Sequence, residues 1–154
     1  MKLPVALLVL AFSGLAVAQG SSGGSHPFGA PAQPSEATRI VPVKATDDMR
    51  FVFPRSFTIQ QGDVIRFIVV NAGRIEHGFS IGDGASQHAR AATMKKRPDM
   101  EHADDPSAVT LKPGEIKEIT WRFDKPVEGD VVLACHLPGH YEAGMVSRVP
   151  FVKR

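Results

Sequence analysis

The 154-residue chain contains one cysteine, one tryptophan and one tyrosine. A lone cysteine, Cys135, cannot form an internal disulfide, so the stapled framework common in small exported domains is excluded. Charge of one sign is also missing: 18 basic residues face 16 acidic ones, which gives no electrostatic case for binding nucleic acid or anionic lipid. There is no internal repeat. Past the first 18 residues no apolar run approaches the roughly 20 residues that a membrane span needs. The length suits a single domain, since domains most often hold about 100 to 150 residues.

The start of the chain does carry an apolar run. Lys2 precedes it and Ala16-Val17-Ala18 ends it, the charged, apolar and small-residue order of a secretory signal peptide. Residues 1–18 are therefore expected to be cleaved on export to the periplasm, leaving no membrane span. Residues 19–37 are rich in Gly, Ser and Pro with Phe28 as their only aromatic. Such a composition cannot offset the entropy of ordering, so a flexible linker with a solvated His26 is expected there.

From Thr38 onward the pattern is of short β-branched and aromatic runs broken by turns: Thr38 to Ala45, Met49 to Phe53, Ser56 to Gln60, Val64 to Asn71 and His77 to Gly82. Ser86 to Lys96 lacks strand alternation and reads as one short helix, closed by Pro98. Strand character returns over Glu115 to Phe123, Val131 to Cys135 and Met145 to Val152. The expected fold is all-β, an antiparallel Greek-key sandwich over residues 38–154 with one short helical insertion.

The chemistry concentrates around the cysteine, in Cys135-His136-Leu137-Pro138-Gly139-His140-Tyr141-Glu142-Ala143-Gly144-Met145. Thiolate, imidazole and thioether recur here as C-x4-H-x4-M. Thiolate and thioether suit copper, imidazole suits both its oxidation states, and a His2Cys set with a weak axial Met is a blue-copper arrangement. A second histidine must approach from outside the loop. His77 is the best candidate, since it opens a strand directly after a turn and shares strand parity with Phe79 and Ile81.

The Cys135, His140 and Met145 loop with Pro138-Gly139 before its histidine, together with the upstream His77, resembles the cupredoxin family over about residues 38 to 154. It resembles in particular the bacterial periplasmic copper-tolerance cupredoxins, through residues 138–145 and a Met- and His-bearing insertion before Leu111. The resemblance implies one type 1 copper ion, with His77 and His140 binding through imidazole nitrogen, Cys135 through thiolate and Met145 axially. It implies a non-enzymatic role, one-electron exchange with an unidentified redox partner protein, with copper tolerance by binding and buffering the ion as the alternative. One departure is Gly78, where many members carry Asn or Ser.

Rival readings fare worse. Cys135-His136 followed by His140 and Met145 also resembles the last copper motif of multicopper oxidases, but Ala134 stands where those enzymes have histidine and no His-x-His pair occurs. A binuclear copper centre needs two bridging thiolates. Structural zinc does not ordinarily use Met. His136 is expected to be an exposed neighbour of the site. His88, Met94, Met100 and His102 in the insertion raise the prospect of secondary Cu(I) contacts, set against a solvated surface excursion rich in acidic residues.

Overall fold

The computed structural model describes residues 26–97 and 105–154. In chain order it contains β1 (Ala30–Pro31), a single 3-10 turn (Pro34–Glu36), β2 (Arg39–Thr46), β3 (Arg50–Val52), β4 (Ile59–Gln60), β5 (Val64–Asn71), β6 (His77–Gly82), α1 (Gly84–Lys96), β7 (Ala108–Leu111), β8 (Ile116–Arg122), β9 (Asp130–Ala134) and β10 (Val146–Val152). The expected signal peptide, the first part of the expected linker, Met100 and His102 lie outside the described residues.

Two five-stranded sheets face each other, one ordered β1-β8-β5-β2-β3 and the other β4-β10-β9-β6-β7. Most ladders are antiparallel, but β2 pairs with β5 and β4 with β10 in parallel. The expected sandwich is present, then, with mixed rather than wholly antiparallel pairing. Parallel neighbours arise because the chain changes sheets between strands instead of turning back at once, as a Greek-key path requires.

Period-two patterning assigns the faces. In β2, Val41, Val43 and Ala45 point inward while Ile40, Pro42 and Lys44 are exposed; in β5, Ile65, Phe67, Val69 and Asn71 are all buried. The strand β6 breaks this alternation and is buried on both faces. Its second face lies beneath α1, which packs against β6 and β9. Asp83 caps the helix by accepting the Ser86 N–H at 2.7 Å. Gln87, itself buried, uses both ends of its amide under the helix: Nε2 donates to the carbonyls of Ser80 and Val132, and Oε1 accepts from the Ser80 hydroxyl.

Residues 26–37 differ from the flexible linker expected of them. Phe28 is 1% exposed and stacks on Trp121, with ring centroids 5.1 Å apart. His26 is half-buried with its ring edge-on to Trp121, so it is not a solvated histidine. The Trp121 indole N–H donates to the Phe28 carbonyl, and β1 adds to the edge of the first sheet beside β8. One aromatic anchor is enough to fix a short segment when a preformed apolar face receives it. Short β7, also unmarked in the sequence pattern, is fixed by its ladder to β6.

Replacing Phe28 with Ala should therefore cost about 3–5 kcal/mol of stability, as for other buried phenylalanines. Urea unfolding with an unchanged slope and a lowered midpoint is the expected result; an unchanged midpoint would place this segment outside the cooperative fold.

Candidate metal centre

Three elements converge at one end of the sandwich. Phe79 and Ile81 of β6 enter the core, and His77 begins the same strand, fully buried. Cys135 follows the last residue of β9, whose Ala134 pairs with Ser80 of β6. The chain then loops through His140 and returns at Met145 to start β10.

That loop is closed by its own backbone. Cys135 N–H donates to the Met145 carbonyl and Met145 N–H to the His140 carbonyl, each at 3.0 Å. Between them, His140 N–H donates to the Leu137 carbonyl at 3.0 Å across Pro138-Gly139. Gly139 has φ of +81° there. Pro at the second position and a left-handed Gly at the third make a type II turn, which is why the dipeptide stands before His140.

One ligand-type atom each from His77, Cys135 and His140 lies within 4.8 Å of the other two. His140 Nδ1 is 3.4 Å from Cys135 Sγ, and the two imidazole rings are 5.1 Å apart. Met145 is fully buried and belongs to the core cluster. The sulfur accepts the Gly78 N–H at 3.1 Å, a donor from the His77 strand that proline at 138 could not supply. A side-chain Cβ at Gly78 would lie 3.5 Å from that sulfur, in ordinary contact.

The two nitrogens of His77 have opposite surroundings. Its Nε2 meets Asp47 Oδ1 at 3.0 Å, whereas Nδ1 is buried and has no hydrogen-bond partner among the described residues. A buried polar atom without a partner costs about 1–3 kcal/mol, and a metal ion is a natural occupant of the space it faces. Asp47 lay outside the sequence reading: an acidic residue in a turn thirty positions upstream carries no spacing signal.

Burial favours the neutral forms of Cys135 and His140. Burial pushes the Cys135 thiol above its ordinary value, against the smaller opposing effect of the Leu137 and Gly78 amides. Burial likewise holds His140 below its ordinary value, helped by His77. Asp47 is held below the usual carboxylate range by the Arg74 N–H and then by His77.

His136 differs from the exposed neighbour expected. It is 6% exposed, with Nε2 2.7 Å from Gln87 Oε1 and its ring stacked on Tyr141 at 4.9 Å. It thus joins α1 to the loop. Met94 is buried and lines a cleft of about 260 Å³ with His136, Leu137 and Tyr141, while His88 is exposed on another face of the helix. The structure does not bring His88 and Met94 together.

A β-sandwich carrying a His-Cys-His cluster at the end where a strand meets a loop is a cupredoxin. Solved structures agree on the fold: auracyanin from Roseiflexus castenholzii superposes with a TM-score of 0.60 at 20% identity, covering 75% of this chain and 98% of its own. Auracyanin B gives 0.60 at 22% identity, covering 80% and 96%. No protein-family model matches the chain.

Sequence relatives narrow the class. The copper-resistant cuproprotein CopI of Rubrivivax gelatinosus is 46% identical over 123 residues, 80% of this chain and 72% of the relative. CopI of Vibrio cholerae serotype O1 is 41% identical, covering 82% and 73%, and CopI of Pseudomonas aeruginosa is 33% identical, covering 96% and 94%. The chain belongs to the CopI family of copper-resistance cuproproteins, and it is a copper-binding protein.

The thiol's raised pKa sets the sign of a pH effect. Copper bound through this sulfur would have to displace the thiol proton, so apparent copper affinity should then rise by about tenfold per pH unit below the thiol pKa. Titration in weak buffer should register the released proton. Copper uptake independent of pH between 6 and 8 would contradict a thiolate donor.

Proposed function

We propose that this chain is an exported copper-tolerance protein holding one copper ion in a type 1 site, through His77, Cys135, His140 and Met145. The observation that carries the reading is the cluster of one ligand atom each from His77, Cys135 and His140 within 4.8 Å of one another, together with a His77 Nδ1 that is buried and has no hydrogen-bond partner among the described residues. Imidazole, thiolate and thioether are the donor types that copper accepts in both oxidation states. The relatives' shared name, copper-resistant cuproprotein, supports the tolerance role. The charged, apolar and small-residue pattern of residues 1–18 supports export.

Each side chain has a separable task. Cys135 would give up its proton and hold the ion as thiolate. Its sulfur retains the Gly78 N–H, a contact that stabilises negative charge on it. His77 and His140 would present imidazole nitrogens. Met145, carried on the backbone bonds that close the loop, would add a thioether donor. Copper bound there supplies a one-electron couple.

A second reading, one-electron carriage to a redox partner protein, is favoured by the rigidity of the loop. Three of the four residues are tied by main-chain hydrogen bonds within a single turn-and-return, so the donors would move little between oxidation states. Both readings describe a protein that is not an enzyme.

Copper-loaded protein should bind one ion and show intense visible absorption that Cys135→Ser abolishes. In copper-sensitive cells lacking the native copy, the wild-type gene should restore growth on copper and Cys135→Ser should not. Restored growth by Cys135→Ser would overturn the tolerance role of this site. Growth unaffected by either gene, with fast reversible cycling in vitro, would favour electron carriage.

A further inference from the structure

We propose that Asp47 is a positioning residue for the metal centre, fixing His77 in the tautomer that carries its proton on Nε2 and so keeping Nδ1 bare as the donor nitrogen. The inference rests on the copper site proposed above. It concerns a residue thirty positions from its histidine, on the opposite sheet.

A neutral imidazole has one N–H, and whichever nitrogen carries it is set by the partner of that nitrogen. An ionised carboxylate can only accept a hydrogen bond. With Asp47 Oδ1 at 3.0 Å from Nε2, the proton belongs on Nε2. The remaining nitrogen, Nδ1, is the buried atom with no partner. Carboxylate behind histidine raises the basicity of the donor nitrogen and aligns the ring on the metal.

The carboxylate is itself held. Asp47 begins the three-residue turn between β2 and β3, whose flanking pair is Thr46 with Arg50. Its second oxygen accepts the Arg74 N–H at 2.8 Å. Gly73 packs directly on it: a Cβ at Gly73 would lie 1.9 Å from Asp47 Oδ1 and 2.7 Å from its Cγ. No side chain fits between the two turns while Asp47 keeps its place. Buried Asn71 fixes the turn from within, accepting the Gly73 N–H at 2.9 Å and donating to the Ile75 and Leu111 carbonyls. Gly73 thus meets His77 through Asp47 on one side and through the Asn71 hydrogen bonds on the other.

This coupling makes the inference testable without copper. Ring nitrogen NMR of the metal-free protein at pH 7 should show His77 protonated on Nε2 alone. Asp47→Asn has one acceptor oxygen for the two N–H groups that the carboxylate receives, so it should keep that tautomer only in part. Asp47→Ala should give a mixture, and Gly73→Ala should match Asp47→Ala although it touches neither His77 nor the ion. On copper loading, Asp47→Ala and Gly73→Ala should each bind about 10–100-fold more weakly, with no further loss in the double variant. Asp47→Asn should lose less affinity than Asp47→Ala while its reduction potential rises, because a negative charge that favours Cu(II) is gone. Asp47 is 40% exposed, so its variants should fold, and unfolding midpoints check this. A proton on Nδ1 or on both nitrogens in the wild type, or a tautomer and affinity unchanged in Asp47→Ala, would overturn the inference. The Nε2 tautomer in a wild-type protein that takes up no copper would sustain the role of Asp47 toward His77 and defeat the copper site instead.

Discussion

A buried polar atom has to be paired, and the end of this sandwich is arranged around one that is not. His77 Nδ1 lies out of water with no hydrogen-bond partner among the described residues, while its other nitrogen is engaged by Asp47. The rest of the end follows from holding that nitrogen in place. The β6–β9 ladder sets Cys135 beside the His77 strand, the Gly78 amide points at the sulfur, and the main-chain bonds of the 135–145 loop bring His140 to the same spot. Each interaction contributes only about 1 kcal/mol of net stability, but together they order the donors in advance. A preorganised site spends little of its binding energy on ordering.

Helix α1 explains why this end is rigid on its outer side. Without it, β6 and β9 would expose a second apolar face. Gln87 satisfies its amide on backbone carbonyls of both strands and meets His136, the residue directly after Cys135. The ring of His136 then stacks on Tyr141 within the loop. The insertion therefore braces the loop through His136 while the Asp47 turn engages His77, two supports from different parts of the chain.

How legible this was in the sequence depended on whether the governing interactions were local. Strands such as β5 and β8 announced themselves through β-branched and aromatic runs, and Pro138-Gly139 through turn chemistry, because neighbours in sequence decide both. The Cys135, His140 and Met145 spacing was visible for the same reason, and the structure brings His77 to Cys135 and His140 across a sequence gap that only the ladder closes. Residues 26–37 misled, since a Gly- and Pro-rich composition hid what one phenylalanine gains from the Trp121 face. His136 misled because its burial depends on a helix 49 residues away. Asp47 was invisible, for its role exists only once two turns on different sheets meet.

Whether the four residues hold the ion is most directly settled by a crystal structure of the copper-loaded protein with anomalous scattering collected at the copper edge. One peak bounded by His77 Nδ1, His140 Nδ1 and Cys135 Sγ, with the Met145 sulfur as the distant fourth neighbour and the loop backbone unmoved, is the result expected. Copper bound through His77 Nε2, or away from the Cys135 sulfur altogether, would contradict it.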